Sequence, residues 1–191
     1  MAPLWIALGI AAGGGIALAA LLALTRSRRE RRRAALRAKP FPDEWRRIVE
    51  GTTPLYRRIP SELKRELHGH VHVFLAEKEF VGCGGLEVGR PMQLSIAAQA
   101  CLLVLGRDEH VYDSLRSILV YPSQFVVREE WHDDDGVVTE EERVLAGQAW
   151  DVSRIVLSWE DVTGRSGGED AYNVVIHEFA HYLDHEGGGM D

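Results

Sequence analysis

The residues with the clearest potential for chemistry lie near the end of the sequence, in the segment His177-Glu178-Phe179-Ala180-His181. Residues four apart lie on one face of an α-helix, so both imidazoles can bind the same metal ion. The glutamate lies beside this face, where its carboxylate can take a proton from a water molecule activated by zinc. The spacing predicts a Zn²⁺ site with His177 and His181 as ligands and Glu178 as the general base for hydrolysis of a peptide bond.

The residues around this segment favour a buried helix that no proline interrupts. The apolar residues on either side of it are Val174, Val175, Ile176, Tyr182 and Leu183. A helix that buries histidine and glutamate side chains loses free energy unless each polar group has a partner. We therefore interpret the polar residues as a metal site, and the alternative is an ordinary structural helix.

A zinc site of this kind needs a third protein ligand, and ten residues follow His181. His185 continues the spacing, but three histidines along one straight helix span about 12 Å, too far for one ion. Glu186 would reach the ion if the helix ended sharply at the glycines that follow. We expect instead that the third metal ligand is not in this chain, and that the chain is a fragment or truncated product of a longer enzyme.

Asp184 stands three positions after His181, on the same side of the predicted helix. A carboxylate in this place can hold a ligand histidine in orientation through a hydrogen bond. We predict this supporting role for Asp184, with a simple charge at the end of the helix as the alternative.

The N-terminal segment differs in composition from the rest of the chain. Residues 2–24 contain no charged side chain and are long enough to cross a lipid bilayer as a helix. Arginines follow at once, and such residues stay on the cytoplasmic side of a membrane. We predict a transmembrane anchor over residues 1–25, a basic juxtamembrane linker over residues 26–42, and single-pass attachment to the bacterial inner membrane with the catalytic domain in the cytoplasm. A cleavable signal peptide is the alternative.

Charge is distributed unevenly along the chain. Residues 26–47 hold ten of the 22 Lys and Arg residues and three of the 29 Asp and Glu residues. The remainder of the chain is therefore strongly acidic, whereas a protein that binds nucleic acid usually presents a basic surface. The composition indicates that this chain does not bind nucleic acid.

Other residues with metal-binding or redox potential have simpler interpretations. His68, His70 and His72 would lie on one face of a strand, but the apolar periodicity around them predicts a helix, which spreads them apart. A second metal site at these residues is the alternative. Cys83 and Cys101 are predicted to be reduced thiols without a disulfide.

The elements predicted for the body of the chain mix helices and short strands. Helices are predicted from Asp43 to Glu50, from Ser61 to about Glu79, over residues 92–105, and from Glu169 or Asp170 through the histidine segment. A strand or loop is predicted over residues 80–88. Strands are predicted over residues 117–128 and 154–159, with a break near Pro122 and a hairpin or loop over residues 137–150. This pattern indicates an α+β domain over residues 43–191.

Several stretches together carry a family resemblance that covers most of residues 41–185. Besides the residues from His177 to Asp184, they are FLAEKEF (74–80), GCGGLE (82–87), IAAQACL (96–102), LVYPS (119–123) and VLSW (156–159). In these stretches the chain resembles the Mlc titration factor A family of bacterial zinc-dependent peptidases. The resemblance implies a zincin-like α+β fold and a gluzincin-type site, in which His177 and His181 match the zinc ligands and Glu178 the catalytic glutamate.

The same resemblance implies two kinds of function. The first is an aminopeptidase-like metallopeptidase that hydrolyses peptide substrates, here attached to a membrane. The family's third ligand, a downstream glutamate, has no counterpart in this sequence, so an inactive chain is the alternative to an active one. The second kind is a regulatory binding protein that sequesters a transcriptional repressor, as the best-known members bind the glucose repressor Mlc, with a metal that is structural or vestigial.

Overall fold

The computed structural model describes residues 4–107, 112–123, 125–132, 138–145, 153–164 and 173–186. The helices are α1 (Leu4–Arg37), α2 (Asp43–Thr52), α3 (Ser61–Glu77), α4 (Arg90–Leu102), α5 (Trp159–Val162) and α6 (Val174–Glu186), with a short 3₁₀ helix at Pro54–Arg57. The strands are β1 (Glu79–Gly82), β2 (Ser117–Tyr121), β3 (Phe125–His132), β4 (Val138–Leu145) and β5 (Arg154–Ser158). The fold is thus mostly helical, with a small parallel sheet.

The chain divides into two compact units, residues 1–40 and residues 41–191. The first unit consists mainly of α1, which continues without a break through the arginine run to Arg37. The second unit holds the remaining helices and all the strands of the described residues. The histidine segment therefore belongs to the second unit, which is the one that matters for the site.

The predicted transmembrane helix is wrong, and so are the fold class that included it and the inner-membrane localisation that followed from it. Within the part of the chain that the structure describes, no helix is both long enough and apolar enough to span a bilayer. The prediction rested on the absence of charge over residues 2–24.

The parallel sheet has the strand order β1-β2-β5. Phe80 of β1 pairs with Ile118 of β2, and Ile118 pairs with Ile155 of β5. Parallel neighbours need a long crossover connection, and α4 lies between β1 and β2 in the chain. Ile118 and Ile155 are buried, as the short apolar runs of these strands predict. The sheet provides one of the surfaces on which the helices pack.

The antiparallel pair of β3 and β4 forms a second, two-stranded sheet. Its register runs from Phe125 opposite Leu145 to His132 opposite Val138. The predicted break near Pro122 is confirmed, because β2 ends at Tyr121 before β3 begins. The predicted hairpin after residue 137 is confirmed over β4, and residues 146–150 lie outside the described residues.

The core of the second unit forms where α3, α4 and α6 pack together. On α6, Val175, Phe179 and Tyr182 are spaced four and three residues apart and are buried on one face. Phe179 contacts Phe74 of α3 at 5.8 Å and Tyr112 at 5.3 Å between ring centroids. Each large apolar side chain buried in this way contributes about 1.5–3 kcal/mol to folding. This packing fixes which face of α6 is turned away from the core.

Candidate metal site

The histidine segment lies on α6, and its two histidines are on the side of the helix opposite the buried face. The Nε2 atoms of His177 and His181 are 3.0 Å apart, and their rings are nearly perpendicular, with centroids 4.4 Å apart. His177 is partly buried and His181 is exposed. The two nitrogens therefore converge on one point at the surface of the second unit.

This convergence suits a metal ion of the size of Zn²⁺. With Zn–N distances of about 2.0–2.1 Å, two nitrogens of a tetrahedral site lie about 3.3 Å apart, close to the separation found here. Both groups are imidazoles, which zinc binds in their neutral form. The pair thus fits zinc in the type of its donors and in their spacing.

Glu178 lies between the two histidines in the chain and is about half buried. Burial raises the pKa of its carboxyl above the ordinary value, and this effect outweighs the opposite influence of His177 and His181. A carboxylate with a raised pKa is a better proton acceptor than an exposed one, which suits a general base.

The N-terminal end of α6 is held by hydrogen bonds of the partly buried Asn173. The Asn173 side chain accepts a hydrogen bond from the Ile176 amide at 3.0 Å, and the Asn173 carbonyl accepts one from the His177 amide at 3.0 Å. The Asn173 Nδ2 atom donates to Gln99 Oε1 of α4 at 2.6 Å. Asn173 is therefore the residue that caps the helix and joins it to α4.

The C-terminal end of α6 is held by Glu186. Its two carboxylate oxygens accept hydrogen bonds from the amides of Tyr112 and Ser114, at 2.8 and 3.0 Å. On the same turn, Lys78 donates to the carbonyl oxygens of Tyr112 and Leu115. Both oxygens of Glu186 are thus engaged with backbone amides, and this residue joins the end of α6 to the turn at Tyr112.

Comparison with known proteins shows the family to which the chain belongs. The family of glucose-regulated metallo-peptidases M90 matches residues 25–191 of the sequence, which is most of the chain. The chain belongs to this family. The family is one of metallopeptidases, and the family resemblance predicted from the sequence is confirmed.

Two of the relatives share the name Mlc titration factor A, and a third is uncharacterised. Mlc titration factor A of Klebsiella pneumoniae is 35% identical over 135 residues, which cover 71% of this chain and 51% of the relative. Mlc titration factor A of Escherichia coli O1:K1 is 39% identical with the same coverage. An uncharacterised protein of Synechocystis sp. is 36% identical over 155 residues, covering 80% of this chain and 56% of the relative. The M90 chain therefore spans about half the length of the curated relatives it matches.

The other residues that the sequence analysis considered near the metal make fewer contacts in the structure. Asp184 and His185 are both exposed. Within the described residues, no hydrogen bond joins Asp184 to His177 or His181, and its supporting role stays a prediction. The described ranges likewise contain no cluster of three or more metal-binding side chains. The third ligand that a metallopeptidase site requires is therefore not identified among them.

The three histidines of α3 serve the core and do not converge. His68 Nε2 is 2.8 Å from the Tyr56 hydroxyl, and His70 Nε2 is 3.4 Å from a Glu66 oxygen. His72 is buried with its ring 5.2 Å from that of Trp45. The helix predicted for this segment is confirmed, and it separates His70 from the other two as expected. Both cysteines are free, and Cys101 is buried, where burial raises the pKa of its thiol.

Sequence reasoning did not find Gln99, Asn173 or Glu186 as residues that hold the two ends of α6. The sequence holds a signal for Asn173, because asparagine directly before an apolar helical run is typical of an N-cap. α6 accordingly begins at Val174, later than Glu169 or Asp170, which lie outside the described residues. Gln99 stands out as a polar residue in the apolar run of α4, but its partner 74 positions away has no sequence signature.

Proposed function

We propose that this chain carries the zinc site of a metallopeptidase that hydrolyses peptide bonds. His177 and His181 hold Zn²⁺ and Glu178 is the general base. The observation that carries the proposal is the 3.0 Å separation of the two Nε2 atoms on a helix whose opposite face is buried. Membership of a metallopeptidase family supports it. An aminopeptidase-like preference, which the family resemblance implies, is part of the proposal.

The chemistry of the proposed reaction is divided between the metal and the side chains. A bound zinc ion supplies a Lewis acid, which polarises the scissile carbonyl and makes water more acidic. Glu178 accepts the proton of the attacking water on its carboxylate and passes it to the nitrogen of the leaving amine. Its raised pKa favours the first of these transfers, and its position next to His177 keeps it within the site.

The proposal includes a third protein ligand for zinc beyond His177 and His181. The described residues do not present one, and the chain spans about half of its relatives. The peptidase domain is proposed to begin near residue 43. Asp184 is proposed to orient a histidine when the metal is bound, because it stands one turn after His181.

Zinc binding and hydrolysis by the same preparations test this proposal. We expect His177→Ala to lose zinc, measured by competition with a chelating dye. Glu178→Gln is expected to keep zinc but to lose about 100-fold or more of its activity on aminoacyl-anilide substrates, because general base catalysis contributes about 10²–10⁴-fold. Equal activity of Glu178→Gln and the unchanged chain would contradict the role of Glu178. A zinc affinity of the unchanged chain equal to that of His177→Ala would contradict the role of the histidine pair.

The second candidate is a regulatory binding protein that sequesters a transcriptional repressor. The observation in its favour is the name of the relatives, Mlc titration factor A, which describes capture of Mlc. Under this alternative, Glu178→Gln would bind an Mlc-type repressor as tightly as the unchanged chain does, and the unchanged chain would hydrolyse no peptide. A pull-down with purified repressor, run beside the hydrolysis assay, separates the two candidates.

A further inference from the structure

A row of two side-chain amides and a hydroxyl, buried at Ser95 and Gln99 and partly buried at Asn173, runs from α4 to the start of α6. Gln99 is 3% exposed, and its Nε2 atom donates to the Ser95 carbonyl and lies 3.2 Å from both the Ser95 oxygens. Its Oε1 atom accepts a hydrogen bond from Asn173 Nδ2 at 2.6 Å. Asn173 Oδ1 then accepts one from the Ile176 amide. We call Ser95, Gln99 and Asn173 the amide relay.

The amide relay has one orientation along its whole length. The Ser95 backbone carbonyl can only accept, so it requires the amino group of Gln99 on its side. The carbonyl of Gln99 must then face Asn173, where it requires an amino group. The carbonyl oxygen of the Asn173 side chain then accepts the hydrogen bond from the Ile176 amide at the start of α6. Each group therefore determines the next, and the direction begins at the main chain of α4.

We propose that Gln99 is a positioning residue for the metal site, acting through Asn173 on His177. Asn173 holds the Ile176 amide with its side chain and the His177 amide with its carbonyl. The relay thereby sets the height and rotation of the first turn of α6, which carries the first histidine. The proposal rests on the zinc-binding function proposed above, since the position of His177 relative to His181 determines whether one ion can be shared.

The fixed orientation of its hydrogen bonds explains the burial of Gln99 better than a gain in folding free energy does. Its neighbours Ile96, Ala97, Ala98 and Ala100 are fully buried apolar residues, among which another apolar side chain would fit. A hydrogen bond in the folded chain replaces one with water and so adds little net free energy. A fully partnered polar row in a low-dielectric core does specify a single arrangement of the elements that it joins. That property is what a two-histidine site on a single helix requires.

Two substitutions interrupt the amide relay at different points. Gln99→Met keeps the size of the side chain but leaves the Asn173 amino group unpaired. Asn173→Asp keeps an oxygen that accepts from Ile176, so the cap is preserved, but it has no hydrogen to donate to Gln99. The added negative charge would by itself strengthen binding of a cation. A weaker affinity in Asn173→Asp therefore reports loss of position and not of charge.

The measurement is the Zn²⁺ dissociation constant of the full chain by chelator competition, together with the absorption spectrum of bound Co²⁺ and the melting temperature. We expect Gln99→Met and Asn173→Asp to weaken zinc binding about tenfold, at the low end of the effect of groups that orient metal ligands. The Co²⁺ spectrum is expected to shift in both. Ile96→Val, a buried change on the same helix outside the relay, is the control for lowered stability and is expected to keep both readouts. Ser95→Ala leaves the directing carbonyl in place and is expected to behave like the unchanged chain.

The outcomes separate the amide relay from the proposed function. Zinc affinities and Co²⁺ spectra of Gln99→Met and Asn173→Asp that equal those of the unchanged chain would overturn the relay while the metal site stands. Equal weakening by Ile96→Val at the same melting temperature would also overturn it, because the effect would then be general instability. If the unchanged chain binds no zinc, both the proposed function and the amide relay are contradicted. This outcome differs from the others because it is observed in the unchanged chain, without any variant.

Discussion

At the scale of single residues, His68 shows how the core uses a histidine that the sequence marks as a ligand candidate. Its ring stacks on Phe41 with centroids 3.9 Å apart, and its Nε2 atom faces the Tyr56 hydroxyl. Burial is the largest influence that lowers the pKa of His68, and together with the charges of Arg46, His72 and Lys64 it brings that pKa to about 4. The residue is therefore neutral at physiological pH, and its folded environment opposes protonation.

This lowered pKa predicts a pH dependence of stability. The unfolded chain protonates His68 near its ordinary pKa of about 6.5, whereas the folded chain resists down to about 4. Its contribution to stability is thus fully present above pH 6.5 and is lost as the pH falls through the window towards 4. In urea unfolding between pH 7 and pH 4, we expect His68→Gln to lose less stability on acidification than the unchanged chain. His70→Gln, which changes a histidine paired with Glu66, is the control and should retain the steeper loss. Parallel pH profiles for all three proteins would contradict the assignment to His68.

At the scale of elements, Gly82 at the end of β1 is constrained by a close backbone approach. A Cβ atom added there would lie 1.8 Å from the Leu86 carbonyl oxygen and 2.9 Å from its carbon. Both are main-chain atoms, so no side-chain rotation can relieve the overlap. The turn from Cys83 to Leu86, which the Leu86 amide closes onto the Cys83 carbonyl, would have to move.

We therefore predict opposite effects for the same substitution in two elements. Gly82→Ala is expected to lower the free energy of unfolding by about 2–3 kcal/mol, as forced overpacking does. Gly51→Ala, in α2, meets no atom within 4 Å and is expected to raise it by up to about 1 kcal/mol through helix propensity. Chemical denaturation of both variants beside the unchanged chain measures the difference. If Gly82→Ala leaves the free energy of unfolding unchanged, β1 can move away from Leu86 without loss of stability.

Prediction from sequence succeeded for elements with a regular pattern and failed where distant residues meet. The apolar spacing of α3 and the apolar run of α4 predicted both helices to within three residues at each end, because periodicity reports one helix at a time. The spacing of His177 and His181 predicted their convergence for the same reason. The partners of Gln99 and Glu186 could not be predicted, since they are more than 70 positions away and only packing brings them together. The membrane span predicted from residues 2–24 is wrong, because no helix of the described residues is long and apolar enough to cross a bilayer.

At the scale of the whole molecule, hydrogen bonds join both ends of α6 to distant parts of the second unit. The amide relay ties its start to α4, and Glu186 ties its end to the turn at Tyr112 and Ser114, 72 to 74 positions earlier. Tyr112 has a φ of 64°, in the left-handed region that a bulky residue adopts only when its surroundings require it. Its amide is one of the two that Glu186 binds, so the carboxylate offsets the strain of the turn.

Glu186→Gln tests this attachment with a change that keeps the size of the side chain. Glutamine offers one oxygen and one amino group where glutamate offers two oxygens, so one of the two backbone amides would face a donor. We expect the free energy of unfolding to fall by about 1–2 kcal/mol, near the value for a hydrogen bond to a charged group at a partly exposed site. We also expect the backbone amides of Tyr112 and Ser114 to exchange with deuterium faster. Asp184→Asn removes the same charge from an exposed neighbour and should change neither readout. If both variants lose equal stability, the effect belongs to charge near the helix end and not to the attachment of the turn.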